Sequence, residues 1–81
     1  MKVKSVKYGG KRTPDGYFLV VIPIEVLELL NRENPDLLIS AIIEYAGLEV
    51  FIKVKSKKMA RKVAERAELI LSRLHSFNEN S

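Results

Sequence analysis

The chain contains no cysteine and no tryptophan, and it has a single histidine, His75. Without cysteine, disulfide scaffolds, cysteine-ligated zinc, iron–sulfur clusters and thiol catalysis are excluded. No stretch approaches the ~18 consecutive apolar residues that indicate a membrane-spanning helix, so we expect no membrane partner. The lysines at the start are not followed by an apolar segment, which argues against a secretory signal and favours a cytoplasmic location.

Groups that carry catalysis are also scarce. His75 has no second histidine with which to share a metal site. Glu25 and Glu28 lie one turn apart near the start of a predicted helix. Their negative charges complement the helix dipole there, which accounts for the pair better than a role in acid–base catalysis does. The Gly9-Gly10 pair lacks the downstream glycine, lysine and helix of a phosphate-binding loop. We therefore expect no enzyme, no cofactor, no metal and no small-molecule substrate.

The length of 81 residues bounds the architecture to one small domain with at most an appended helix. A chain of this size buries only about 60% of its unfolded surface on folding, so a monomer would be marginally stable. We therefore expect the protein to need a partner.

Charge is distributed in three blocks along a chain whose net charge is +4. Residues 1–12 hold five lysines and arginines and no acid, a net charge of +5. Residues 13–52 hold seven acids against one arginine (−6), and residues 53–66 hold seven lysines and arginines against one glutamate (+6). The remaining residues, 67–81, add two glutamates and one arginine (−1). Two basic blocks in a small domain are typical of proteins that bind nucleic acid, although solvated lysines also serve solubility.

The first half of the chain predicts two strands and a short helix. Residues 1–8 have the composition of a charged strand, and residues 9–16 are dense in turn residues, which predicts a hairpin with a basic loop. Residues 17–22 are continuously apolar, which indicates a strand buried on both faces. Pro23 suits the first position of a helix, and the apolar face of this helix is formed by Ile24, Val26, Leu27 and Leu30. The helix is expected to end at Asn31 or Asn34.

The second half predicts a hairpin and a long helix. Residues 37–43 and 48–55 are the two strands, and Ser56 is a suitable N-cap for a helix that runs to about Phe77. An apolar stripe along this helix must be buried on the chain itself, against its copy in a dimer, or against a different protein. We expect it to form a partner or dimer face, composed of Met59, Val63, Ala67, Ile70, Leu74 and Phe77.

One motif resembles a known family. The string Val20-Val21-Ile22-Pro23-Ile24-Glu25-Val26, followed by Leu29-Leu30, is similar to that of the AbrB-type swapped-hairpin DNA-binding proteins, and the strand–helix–strand–strand order around it also matches. The resemblance implies a mainly β α+β fold, in which hairpins of two chains interleave into one homodimeric barrel. Residues 1–55 would form this barrel domain, residues 56–77 a C-terminal amphipathic helix, and residues 78–81 a frayed tail.

The function that the resemblance implies is transcriptional regulation through binding of double-stranded DNA. Basic residues on the first strand and its loop would bind the duplex, and the second basic block would extend the contact from the start of the long helix. The expected DNA-binding residues are Lys4, Lys7, Lys11, Arg12, Lys57 and Lys58. Two alternatives stay open: an antitoxin whose C-terminal helix binds a toxin protein, and a structural or oligomerisation module that does not bind DNA.

Overall fold

A four-stranded antiparallel sheet and two helices form the part of the chain that the computed structural model describes, residues 5–79, with side chains up to residue 75. This confirms a small α+β fold. The elements in chain order are β1 (Lys7–Arg12), β2 (Phe18–Pro23), α1 (Ile24–Glu33), a single 3₁₀ turn (Pro35–Leu37), β3 (Ile42–Ala46), β4 (Glu49–Val54) and α2 (Lys57–Glu79).

The strands lie in the order β1-β2-β4-β3, and every neighbouring pair is antiparallel. The β1–β2 register shifts between Tyr8 and Arg12, where β1 contains extra residues. Gly10 lies there with φ 73°, a conformation that side-chain-bearing residues rarely adopt. The predicted loop over residues 9–16 is therefore corrected. Its first four residues belong to a bulged strand, and the turn is confined to residues 13–17.

One face of the sheet, which we call the inner face, is covered by both helices. It presents Phe18, Val20 and Ile22 from β2, and β4 adds three further apolar side chains (Val50, Ile52, Val54), all of them buried. These positions alternate along each strand, so they lie on the same side of the pleat. Helix α1 adds Val26, Leu27 and Leu30 to this core, as its sequence pattern predicts.

The apolar stripe of α2 packs on this inner face. Val63, Ala67 and Ile70 are fully buried, and Met59 and Leu74 are partly buried against the same core. Of the three expected ways to bury the stripe, the structure shows the first, packing within the chain. The expectation that these residues form a partner or dimer face is corrected accordingly. The side chain of Phe77, the last stripe residue, lies outside the described residues.

The helix boundaries follow their local signals with small shifts. Pro23 is the last residue of β2, with ψ 147°, and Ile24 begins α1 by donating its N–H to the Leu48 carbonyl at 2.9 Å. Asn34 ends α1, and the Ser56 Oγ accepts the Met59 N–H at 3.2 Å, which confirms the predicted N-cap of α2. Helix α2 continues to Glu79, past the predicted end.

Two parts of the sheet differ from the sequence-based expectation. Strand β3 begins at Ile42 and not at residue 37, because residues 35–37 form the 3₁₀ turn that Pro35 initiates. Strand β2 is buried on one face only: its side chains on the other side, Leu19 and Val21, are half-buried. We call that second side of the sheet the outer face.

None of the helices in the described range is long and apolar enough to cross a membrane.

Substitutions at two neighbouring positions of α2 test its packing on the sheet. Ile70→Ala should lower the free energy of unfolding by about 2–5 kcal/mol, because it leaves a cavity between helix and sheet. Leu69→Ala should change it by no more than about 0.5 kcal/mol, since 56% of Leu69 is exposed. Urea denaturation followed by circular dichroism measures both. Equal, small effects would contradict the observed placement of the helix.

Candidate nucleic-acid interface

Several chain segments meet at one end of the sheet. Phe18, the first residue of β2, pairs with Arg12 at the end of β1 and with Val54 at the end of β4. Because α2 begins only three residues after Val54, its first turn lies at this end too. The β1–β2 turn and the start of α2 thus bring both basic blocks of the sequence together. We call this region the basic end, and its residues are Lys11, Arg12, Lys55, Lys57 and Lys58.

Contacts between β1 and α2 fix the two basic blocks against each other. The Tyr8 hydroxyl donates a hydrogen bond to the Lys57 carbonyl at 3.4 Å. A Cβ atom placed on Gly10 would lie 3.7 Å from the Lys57 side-chain Cε, so the lysine stem runs beside the glycine bulge. The first lysine of α2 therefore lies close to the bulge of the strand that carries Lys11 and Arg12.

Two aromatic rings lie beneath cations of the basic end. The Arg12 guanidinium carbon is 5.5 Å from the centroid of the Phe18 ring, and the Lys55 Nζ is 5.7 Å from that of Tyr17. Cation–π contacts of this length hold a charge over the ring face while its N–H groups stay in water. Arg12 and Lys55 are both exposed, so their donors remain free to meet an anion.

The turn between β1 and β2 is closed by hydrogen bonds centred on Thr13. Its N–H donates to the Tyr17 carbonyl at 2.6 Å, and its own carbonyl accepts the Gly16 N–H at 2.9 Å. The Thr13 Oγ1 accepts the Tyr17 N–H at 3.0 Å. Gly16 has φ 90°, which glycine allows, and Pro14 supplies the fixed φ that such a turn favours. This turn restrains the adjoining Arg12.

One acid lies within the turn. The Thr13 hydroxyl donates a hydrogen bond to the Asp15 carboxylate, which holds the pKa of Asp15 below its ordinary value, and the positive charge of Lys53 acts in the same direction. Asp15 is therefore ionised at neutral pH and sets one negative charge among the cations. Its side chain is exposed, so its charge is screened by water and salt.

The structure brings together four of the six residues expected to bind DNA: Lys11, Arg12, Lys57 and Lys58. Lys7 stands apart, because it pairs with Val21 further along β1 and its Nζ lies 3.5 Å from the Glu49 carboxylate. The sixth expected residue, Lys4, lies outside the described residues.

Lys55 joins the basic end although the sequence did not single it out, and Tyr17 accompanies it. Their contact depends on the pairing of β2 with β4, in which Phe18 lies opposite Val54. The alternation of residues 48–55 predicts which side chains share a face of that strand, but it does not predict which strand lies beside it. Lys55 could have been included only with the β2–β4 register known.

The side chains of residues 5–75 form no further cluster with the groups of a metal site or a buried polar site. None of those that are charged or polar is buried, and no three histidines, aspartates or glutamates among them are grouped so that they could hold a metal ion. Arg66 and Arg73, further along α2, bind Asn34 and Glu33 at 2.7 Å each, so they fasten α2 to α1.

A scan against models of protein families, a search of curated proteins and a search of solved structures each gave no match for this chain. The similarity of residues 20–30 to the AbrB-type motif therefore stays a prediction from the sequence.

The Thr13–Asp15 contact predicts how the turn responds to pH. Because the pKa of Asp15 is lowered, the contact is fully present above the ordinary pKa of 3.8 and is lost as the pH falls through the lowered value. Thr13→Val, which removes the hydroxyl, should raise the pKa of Asp15 towards 3.8. Thr13→Ser should leave it low. A titration of the Asp15 carboxyl carbon by NMR measures both, and a pKa unmoved by the valine would refute the assigned cause.

Proposed function

We propose that this protein binds double-stranded DNA through its basic end and acts as a transcriptional regulator. The observation that carries the proposal is that two basic blocks far apart in the sequence lie at the same end of the sheet, where Lys11, Arg12, Lys55, Lys57 and Lys58 are all exposed. Clustered lysines and arginines neutralise phosphates and release the counterions that surround DNA. Lysines kept only for solubility have no need to gather at one end of the fold.

The start of α2 strengthens the attraction for phosphate. The first turn of this helix contains no acid and begins with Lys57 and Lys58. Cations at a helix N-terminus oppose the dipole at a cost of about 0.3–1 kcal/mol each. A phosphate at this position would offset that cost and accept hydrogen bonds from the backbone N–H groups of Lys57 and Lys58, which precede the capped N–H of Met59. The arrangement therefore favours a bound anion.

Arg12 is the residue best suited to read a base. Its planar guanidinium can donate two parallel hydrogen bonds to the O6 and N7 atoms of guanine in the major groove. Stacking on the Phe18 ring orients it. The four lysines of the basic end position the duplex without reading its sequence, so we expect modest discrimination between DNA sequences.

We further propose that the active form is a homodimer in which hairpins are exchanged between chains, as the resemblance to the AbrB-type proteins implies. In the single chain, β2 already pairs with β4 over its full length. An exchange would thus replace this ladder by the same ladder between two chains. Each dimer would carry two basic ends.

The antitoxin alternative depends on a helix face that is free to bind a toxin. Most of the α2 stripe is buried against the sheet of the same chain, and Leu69 is the large apolar side chain that the described part of α2 exposes. No observation on the structure favours this alternative over DNA binding.

DNA binding is tested with fluorescence anisotropy of a labelled 30-base-pair duplex of mixed sequence, titrated at two salt concentrations. Lys11→Ala combined with Arg12→Ala should weaken binding at least ~10-fold and reduce its salt dependence, because each lost phosphate contact lowers the slope by about one. Lys57→Ala with Lys58→Ala should act likewise.

A matched control removes two cations elsewhere. Arg32→Ala with Arg73→Ala changes the net charge equally, and Arg73 lies about 24 Å along α2 from Lys57 at 1.5 Å per residue. This variant should bind nearly as the original protein does. If the control variant lost as much DNA affinity as the basic-end variants, the effect would be one of net charge and not of a binding site. Absence of binding by the original protein at low salt would refute the proposed function.

A further inference from the structure

The outer face of the sheet has an apolar centre that neither α1 nor the described part of α2 covers. Leu19 and Val21 of β2 and Phe51 of β4 share this side, because they alternate with the buried residues of the inner face. All three are half-buried, and none is among the residues packed against the core. Ile42 of β3, opposite Lys53, extends the apolar centre and is 41% exposed.

Charges flank this centre in a definite order. Cross-strand partners form one row over the outer face: Lys7 lies opposite Val21, Val21 opposite Phe51, and Phe51 opposite Glu44. Read across the sheet from β1 to β3, the row is positive, apolar, apolar and negative. Within the chain, Lys7 lies 3.5 Å from Glu49, and Glu44 lies 3.4 Å from Lys53. The charges at the two ends of this row are of opposite sign, and each is paired within the chain with a residue of β4, Glu49 or Lys53.

From this row we infer that the outer face packs against the outer face of a second copy of the chain, about a two-fold axis parallel to the strands. Such an axis reverses the order of strands across the sheet, so β1 lies over the partner's β3. Lys7 then faces the partner's Glu44, and Val21 faces the partner's Phe51. A two-fold axis perpendicular to the strands, in the same plane, would set Lys7 over Lys7 and Glu44 over Glu44. The perpendicular axis would also place Glu49 over the partner's Lys53, so its like pairs and opposite pairs would offset each other. The parallel axis forms opposite pairs and sets no two like charges of the described outer face against each other. Charge complementarity therefore favours the parallel axis.

The size of the face is sufficient for a stable contact. Four strands spaced about 4.8 Å apart, each about six residues long with a rise of ~3.4 Å, span some 400 Å² of projected area per chain. Accessible area exceeds projected area, because side chains stand out from the pleat. Two such faces thus bury on the order of 1,000 Å² or more, which is what a specific interface requires. Sheets stacked in this way lie about 10 Å apart.

The inference specifies the surface of the homodimer proposed above and is independent of DNA binding. Sedimentation velocity without DNA, over a range of protein concentrations, should show a dimer. Phe51→Lys should raise the dimer dissociation constant on the order of 100-fold or more, since a two-fold axis places this side chain in the contact twice. Leu69→Lys, on the exposed side of α2, should leave the dimer intact.

The outcomes separate the proposals. A monomer at every concentration would overturn the stacked face and the homodimer together, and leave the DNA-binding assignment standing. A dimer that Phe51→Lys does not weaken would overturn the stacked face alone. Circular dichroism checks that each variant folds. Where Phe51→Lys does not, the charge variants decide, because Lys7 and Glu44 are exposed.

Charge reversal tests the axis. Lys7→Glu and Glu44→Lys should each weaken the dimer about tenfold at low salt, because each turns two attractive pairs into repulsive ones. The double variant should recover most of this loss. Single variants that dimerise as well as the original protein would overturn the parallel axis, and so would a double variant that stays weak.

Mixing the Lys7→Glu variant with the Glu44→Lys variant shows whether the hairpins of one sheet belong to one chain or to two. Where each sheet belongs to one chain, Glu at position 7 of one variant meets Lys at position 44 of the other, and the mixture forms a heterodimer. Where hairpins are exchanged, the two positions that meet belong to the same chain, and mixing restores nothing. Restored dimers in the double variant support the stacked face with either connection.

Discussion

Strand β2 is apolar on both sides, and the described part of the chain places its one long helix over only one face of the sheet. Strand β2 imposes this constraint, because all six of its residues are apolar and successive side chains must point to opposite sides. On the inner side Phe18, Val20 and Ile22 are sealed by α2 together with α1. On the outer side Leu19 and Val21 keep contact with water. The stacked dimer proposed above would complete the burial of this side of β2.

The same constraint places the positive charge. Helix α2 follows β4 after two residues, Lys55 and Ser56, and must then cross the inner face to bury its stripe. Its first turn consequently lies beside the β1–β2 turn, where Lys11 and Arg12 are. Its far part reaches α1, where arginines bind Glu33 and Asn34. Packing of α2 in the core thus brings the cations of the basic end together, although like charges repel one another.

Local patterns in the sequence predicted local structure well. The Ser56 N-cap, the apolar face of α1 and the alternation along β4 depend on residues close together in the chain, and the structure confirms them. The bulge at Gly10, the partnership of β2 with β4 and the destination of the α2 stripe depend on contacts between distant segments, which no local period encodes. The candidate site divides in the same way. Its lysines were visible in the sequence, whereas the addition of Lys55 and the separation of Lys7 required the register.

The direction of the two-fold axis connects the proposed dimer with the proposed DNA binding. An axis parallel to the strands keeps both chains pointing the same way along the sandwich, so both basic ends lie at one end, on sheets about 10 Å apart. The perpendicular axis would send them to opposite ends of the sandwich, facing away from each other, so that one straight duplex could lie against only one of them. The charges on the outer face, none of which belongs to the basic end, thus determine whether two copies of Arg12 and its lysines form one continuous surface for DNA. Such a surface doubles the phosphates within reach and steepens the dependence of binding on salt.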